Sequence, residues 1–224
     1  MTLQAPSCFF HSLEMDLFSL VPQLMMGVGL AACAGLRAWL PMLVVGVLTR
    51  TGFLHVSRSF EFFARTDILI ILAVATIIEL IGDKFIAVDH FLDAIGTVIR
   101  PLAGAVLTSS ILTDIDPTTA LIIGLLAGGG TAFTIHAGKS LLRAKSTLLA
   151  PIHAGIGNAV ISFIEDAVTI VGMILSTLLP VLAFAISVIA IIISAWLICA
   201  VMKQGKSLFV SLSNPRRSSR GRLP

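Results

Sequence analysis

Two acidic residues stand side by side in an otherwise apolar stretch, at Glu165-Asp166. An acid facing lipid at mid-membrane costs roughly 2.5–3.5 kcal/mol on the insertion scale, so the pair has to face inward. Two adjacent carboxylates cannot both be ionised cheaply there, and the expectation is that one is protonated or that a cation lies between them. Around them Gly155, Asn158, Ser162, Glu165, Thr169, Gly172 and Ser176 recur at spacings of three and four, one small and polar stripe down a helix. A second cluster runs from 79 to 100, ELIGDKFIAVDHFLDAIGTVIR. Glu79 and Asp83 are four apart and share a helix face, as do Asp89 and Asp93, with Lys84, His90 and Arg100 among them. Acid pairs of this kind bind cations or shuttle protons. Glu79, Asp83, Glu165 and Asp166 are therefore the candidate cation, proton or divalent-metal ligands. Arg37, Lys84 and Arg100 are the candidate counter-ions or substrate contacts, and Asp89, Asp93, Asn158, Ser162 and Thr169 the supporting polar groups. The competing expectation is that the bases neutralise the acids in ion pairs that only fix the fold. His136 and His153 are read as interfacial residues near the ends of two spans. No zinc-protease, phosphate-loop or nucleophile-elbow pattern occurs, and an enzyme is not expected.

The elements that position these residues follow from composition. The 224 residues are 57% hydrophobic and 12% charged, with a mean hydropathy of +1.02. A soluble domain has about twice that charged share, so the chain is an all-α polytopic membrane protein, its main partner the lipid bilayer. Long continuous apolar runs exclude the alternating strands of an outer-membrane barrel. The start, MTLQAPSCFFHSLEMD, lacks the pattern of a cleaved signal peptide. The three cysteines, Cys8, Cys33 and Cys199, imply no disulfide framework.

Six spans are expected, at about 20–48, 66–82, 94–113, 117–137, 153–177 and 180–202. The division is an N-terminal segment 1–19, a first three-helix unit 20–113, a second 114–203 and a basic tail 204–224. GLAACAGLRAW at 29–39 echoes GLLAGGGTAFT at 124–134, and the second span of each unit carries acids. Units of three spans sit upside-down to one another, an inverted repeat with its site at the interface between units, as in transporters. Arg37-x-x-x-Pro41 in the first unit and Gly128-Gly129-Gly130 in the second mark the first helix of each unit as a candidate for a break. Lys139, Arg143 and Lys145 are assigned to the link between spans four and five. With Lys203, Lys206 and the tail arginines 216, 217, 220 and 222 they place that link and the C-terminus in the cytoplasm, in a bacterial inner membrane. Arg50, Arg58 and Arg65 in the first link run against this, unless the first span is a re-entrant hairpin. The basic tail is read as a topology signal and not as a nucleic-acid site.

GLRAWLP at 35–41, the run GDKFIAVDHFLDAIGTVIRPLAG at 82–104 and the later Glu-Asp together resemble an integral membrane family catalogued as a domain of unknown function, of the DUF4126 type, over about 20–200. That resemblance implies the membrane class and singles out Arg37, Glu79, Asp83, Lys84, Asp89, Asp93 and Arg100, without an activity. Separately, Glu79-Leu-Ile-Gly-Asp83-Lys84 is similar to the E-x-G-D-K-T motif of an inverted-repeat cation/proton exchanger family, which implies a divalent-cation site. One residue is inserted here, Phe85 replaces the Thr, and Glu165-Asp166 lacks the Gly and Lys. The expected function is a cation- or proton-coupled transporter or channel for a small ion or molecule. The alternatives are a membrane scaffold or partner subunit, and a permease for a small organic or lipid substrate; a second copy of the chain is a further candidate partner.

Overall fold

The computed structural model describes the backbone over residues 6–82, 86–149 and 154–213, and side chains over 19–82, 88, 91–142 and 162–203. Among the described residues every regular element is helical. Helix α1 spans Pro6–Leu36 and α2 spans Trp39–Arg50, followed by a short 3-10 turn at Arg58–Ala64. Then come α3 (Thr66–Gly82), α4 (Ile86–Ile111), α5 (Pro117–Ile123), α6 (Gly130–Leu149), α7 (Ala154–Leu178) and α8 (Pro180–Ser213). Four described stretches are long and apolar enough to cross a membrane: Ser19–Leu36, Phe91–Ile111, Pro117–Leu142 and Pro180–Lys203. Only 11% of the last is buried within the protein, as suits a helix that faces lipid.

Cross-chain contacts give the direction of each helix. At one end, which we call the distal face, Gln23 at the start of the apolar part of α1 accepts from the Thr113 amide at 2.9 Å and donates to Asp114 at 2.8 Å. Hydrogen bonds from Ser19, Thr113 and Gln23 hold the Asp114 carboxyl below the usual carboxylate range. The Ser57 amide donates to the Ser110 carbonyl at the same face, 2.8 Å away. Arg37 lies about 20 Å deeper than Gln23, at roughly 1.5 Å of rise per residue. The chain thus enters along α1, breaks at Arg37-Ala38 and returns along α2 to the face it came from. The first span, expected at about 20–48, is divided into a hairpin of two helices with its tip deep in the bundle. Helix α3 runs antiparallel to α2: Arg50 bonds Thr66 at 2.7 Å at one end, and the Glu79 carboxylate accepts from the Ala38 and Trp39 amides at 3.1 and 3.3 Å at the other.

The second expected break is not an open one. Asp116 caps α5 through the Thr118 and Thr119 amides, with Pro117 at the first turn, as the sequence leads one to expect. The helix then continues through one π-helical stretch, Gly124–Gly129, into α6. The glycines are there for close approach. A Cβ on Gly128 would lie within van der Waals overlap of the Gly104 carbonyl and Thr108, and one on Gly124 would strike Ser109. The π-turn widens the helix without leaving its backbone groups exposed, so it survives at membrane depth against α4.

The hairpin makes a topological prediction. In a background without the native cysteines, Ser19→Cys and Ser57→Cys should react with a membrane-impermeant maleimide from the same side, and Lys203→Cys from the opposite side. Reaction of positions 19 and 57 from opposite sides would mean that the first span crosses.

Candidate functional site

The tip of the hairpin places a charge where none can be left alone. Arg37 is completely buried, and its guanidinium bridges two helices. It pairs with Asp166 of α7 at 2.6 Å, donates to the Ser162 hydroxyl at 3.0 Å, and reaches the Glu79 carbonyl of α3 at 3.4 Å. Arg37 sits at the broken end of α1 because its own amide still bonds the Cys33 carbonyl while the next residues turn away. The start of α2 lacks a Ser, Thr, Asp or Asn cap of its own, and Glu79 supplies the missing acceptor from α3, where a negative charge also suits the helix dipole.

Two further bases complete the layer. Arg100 of α4, 1% exposed, lies 3.6 Å from Glu79 and 3.4 Å from Asp93, about two turns nearer the start of α4. It also donates to Nδ1 of His136 on α6. Arginine can only donate, so the His136 proton sits on Nε2, which faces the Thr97 hydroxyl at 3.3 Å; that hydroxyl donates in turn to the Asp93 carbonyl. Lys139 of α6 pairs with Glu165 at 2.8 Å and donates to the Leu36 carbonyl at 3.1 Å, one of the acceptors released where α1 ends. Three bases and four acids thus share one layer at the junction of α1, α3, α4, α6 and α7.

The structure brings together Arg37, Glu79, Asp93, Arg100, Ser162, Glu165 and Asp166 of the residues singled out by sequence. Thr169 lies on the same buried face of α7, donating to the Glu165 carbonyl at 2.7 Å. Asp83 and Lys84 lie outside the described residues. Asp89 is in the first turn of α4 and Asn158 in the first turns of α7, and their side chains are likewise outside the described set. Two assignments change. Lys139 belongs to no link: it lies on α6, 6% exposed, and is the partner of Glu165. His136 is a buried ligand of Arg100 rather than an interfacial group. The adjacent acids also find a solution other than a shared proton or an intervening cation. Successive residues on a helix point about 100° apart, so Glu165 turns to Lys139 and Asp166 to Arg37. Among the described residues no group of three or more His, Cys, Asp or Glu side chains is arranged to hold a metal.

Beside the charged layer is a cavity of about 640 Å³ between α1, α6, α7 and α8. Lys139 and Glu165 are on its wall, and Ser176 and Ala183 line it nearer the distal face.

The family model for a domain of unknown function (DUF4126) matches residues 24–200, from the first turns of the buried part of α1 to the end of the apolar part of α8. The chain belongs to this family. The match includes every charged residue of the layer. No curated protein and no solved structure matches the chain. The second resemblance, to the cation/proton exchangers, gains no support from these comparisons.

The two roles of Glu79 can be separated. Glu79→Leu removes both the acceptor for the α2 amides and the charge facing Arg100, and should destabilise the protein by about 3–5 kcal/mol, the range for a broken buried pair. Glu79→Gln keeps an oxygen for the amides and should cost clearly less. Thermal melting in detergent reads the difference, and equal losses would mean that capping contributes nothing.

Proposed function

We propose that the protein is a membrane transporter driven by protons or cations, in which Glu79, Glu165 and Asp166 are the coupling acids and Arg37, Arg100 and Lys139 the counter-ions they exchange. The observation that carries this reading is Arg37. A fully buried guanidinium at the tip of a re-entrant hairpin is bonded to α3 and α7 at once. Neutralising Asp166 leaves that charge seeking another partner, and Arg37 already reaches the carbonyl of Glu79 on the other side of the tip. Movement of the tip would then follow from a proton on one acid. Because each acid already faces a base, a proton needs less rearrangement than a divalent cation, which would require the bases to withdraw.

The directions of the later helices support the same reading. Helices α3–α4 and α7–α8 run in opposite directions, and their acids meet on the two sides of Arg37, as at the interface of an inverted repeat. The hairpin α1–α2 and the π-containing α5–α6 are then the unlike first elements of the two units. The face that carries Lys203 is assigned to the cytoplasm, with Arg50, Arg58 and Arg65 left near the distal face against that rule, and a bacterial inner membrane is the setting we favour.

Fully paired charges also suit a scaffold held together by ion pairs, and one experiment separates the two. Proteoliposomes containing a pH dye are given Na⁺, Ca²⁺, Mn²⁺ and a panel of small organic ions under an imposed pH gradient. The wild type should show flux with at least one of them, and Glu165→Gln/Asp166→Asn should show none while eluting as a folded protein. Undiminished flux in the double variant contradicts the assignment; absence of flux from the wild type favours the scaffold.

A further inference from the structure

The cavity beside the charged layer has a shape and a chemistry of its own. It extends along α8 from Ala183 to Leu197, roughly 21 Å at the helical rise, a large part of the ~30 Å hydrocarbon thickness of a bilayer. Its volume, about 640 Å³, is in the range of small-molecule sites. Two of the three serines on its wall spend their hydroxyl protons within their own helices: Ser176 donates to the Gly172 carbonyl and Ser187 to the Ala183 carbonyl. Its rim is formed by Leu142, Ile164, Val168 and Ile193, all more than half exposed, so the cavity opens toward lipid and not toward water. It meets charge only at Lys139 and Glu165.

We infer that this groove takes the chain of a single-chain amphiphile whose anionic head group, a carboxylate, pairs with Lys139. The sign follows from how the two charged residues are held. Lys139 is anchored twice, to Glu165 and to the Leu36 carbonyl, which fixes its ammonium at the mouth of the α1 break even when Glu165 is neutral. A cationic head group seeking Glu165 would have to settle against that fixed ammonium. A carboxylate instead takes the place that Glu165 leaves when it accepts a proton, so one proton and one anion enter together and the site stays neutral. An apolar body in the groove and a charged head at Lys139 also account for a lipid-facing entrance that a small hydrophilic ion would not need. This substrate class rests on the proposed proton-coupled reading but is tested separately from it.

The test is equilibrium binding of radiolabelled dodecanoate to the protein in lipid nanodiscs, with no gradient applied. Saturable binding is expected, displaced by unlabelled dodecanoate and at least roughly tenfold less well by dodecanol or dodecyltrimethylammonium, the loss of one charge-assisted contact. Lys139→Gln/Glu165→Gln, which leaves no unpaired charge, should erase that preference. Val168→Trp, and Ile193→Trp on the facing helix, fill the groove away from the ion pairs and should abolish binding in protein that still elutes as folded. Equal competition by the alcohol and the ammonium compound overturns the inference, as does binding that survives both tryptophan variants. Absence of saturable binding to folded wild type overturns it too, including the case in which a second copy covers the groove. Failure of binding leaves flux of another solute intact as a finding, whereas binding without pH-driven flux removes the coupling and keeps the groove.

Discussion

A guanidinium buried in a membrane bundle has to be neutralised on the spot, and the fold is arranged around that requirement at Arg37. Desolvating a charge costs several kcal/mol unless partners surround it, and Arg37 sits where the backbone also changes direction. The same break that ends α1 frees carbonyls and the amides of α2. Lys139 takes one of those carbonyls, and Glu79 takes two of those amides. Charge and broken backbone are therefore solved together: the groups that neutralise the bases are the groups that cap the helix ends. This explains how an interrupted helix can persist at depth, since its freed polar groups face protein and not lipid.

The layer then imposes constraints on its neighbours. Helices α1, α4 and α5–α6 must approach closely enough for Arg100 and His136 to meet, and that approach is paid for in glycine at positions 104, 124 and 128. The Thr108 hydroxyl closes the contact by donating to the Gly27 carbonyl at 3.0 Å. Helix α8, without charges over its apolar length, sets small residues against glycines, with Ser194 against Gly138 and Ala183 against Gly29. Its lipid-facing surface leaves the groove beside α7 open. The polar layer and the apolar groove are thus adjacent products of one packing scheme.

Much of this was legible in the residues themselves. The inward stripe on α7 is read from spacing alone, because an acid in an apolar helix can face only one way; Ser162, Glu165, Thr169 and Ser176 are all buried on that face. The break near Arg37 is likewise signalled by a charge and a proline inside a span. The partner of Glu165 was hidden for a reason that is also physical. Lys139 stands near Arg143 and Lys145, and a basic run at the end of an apolar stretch has the same composition whether its first member turns into the bundle or out to the surface. A glycine run is ambiguous in the same way: it weakens a helix, but here the neighbouring helix α4 supplies the contacts that keep it continuous through a π-turn. Periodicity reports which way a side chain points within one helix, and it carries no information on which other helix supplies its partner.

The central claim is that the buried acids change state during function and are not fixed struts. The most direct measurement is the melting temperature of the purified protein in detergent from acid to neutral pH, with and without Na⁺, Ca²⁺, Mn²⁺ or Mg²⁺, beside Glu165→Gln/Asp166→Asn. A ligand that binds only the folded state stabilises it by about 2.7 kcal/mol at a hundredfold excess over its Kd, well within reach of such a measurement. The account predicts a pH- or ion-dependent step in the wild type that is missing from the double variant. Profiles of the same shape in both proteins, with the variant melting far lower throughout, would contradict it and make the charged layer purely structural.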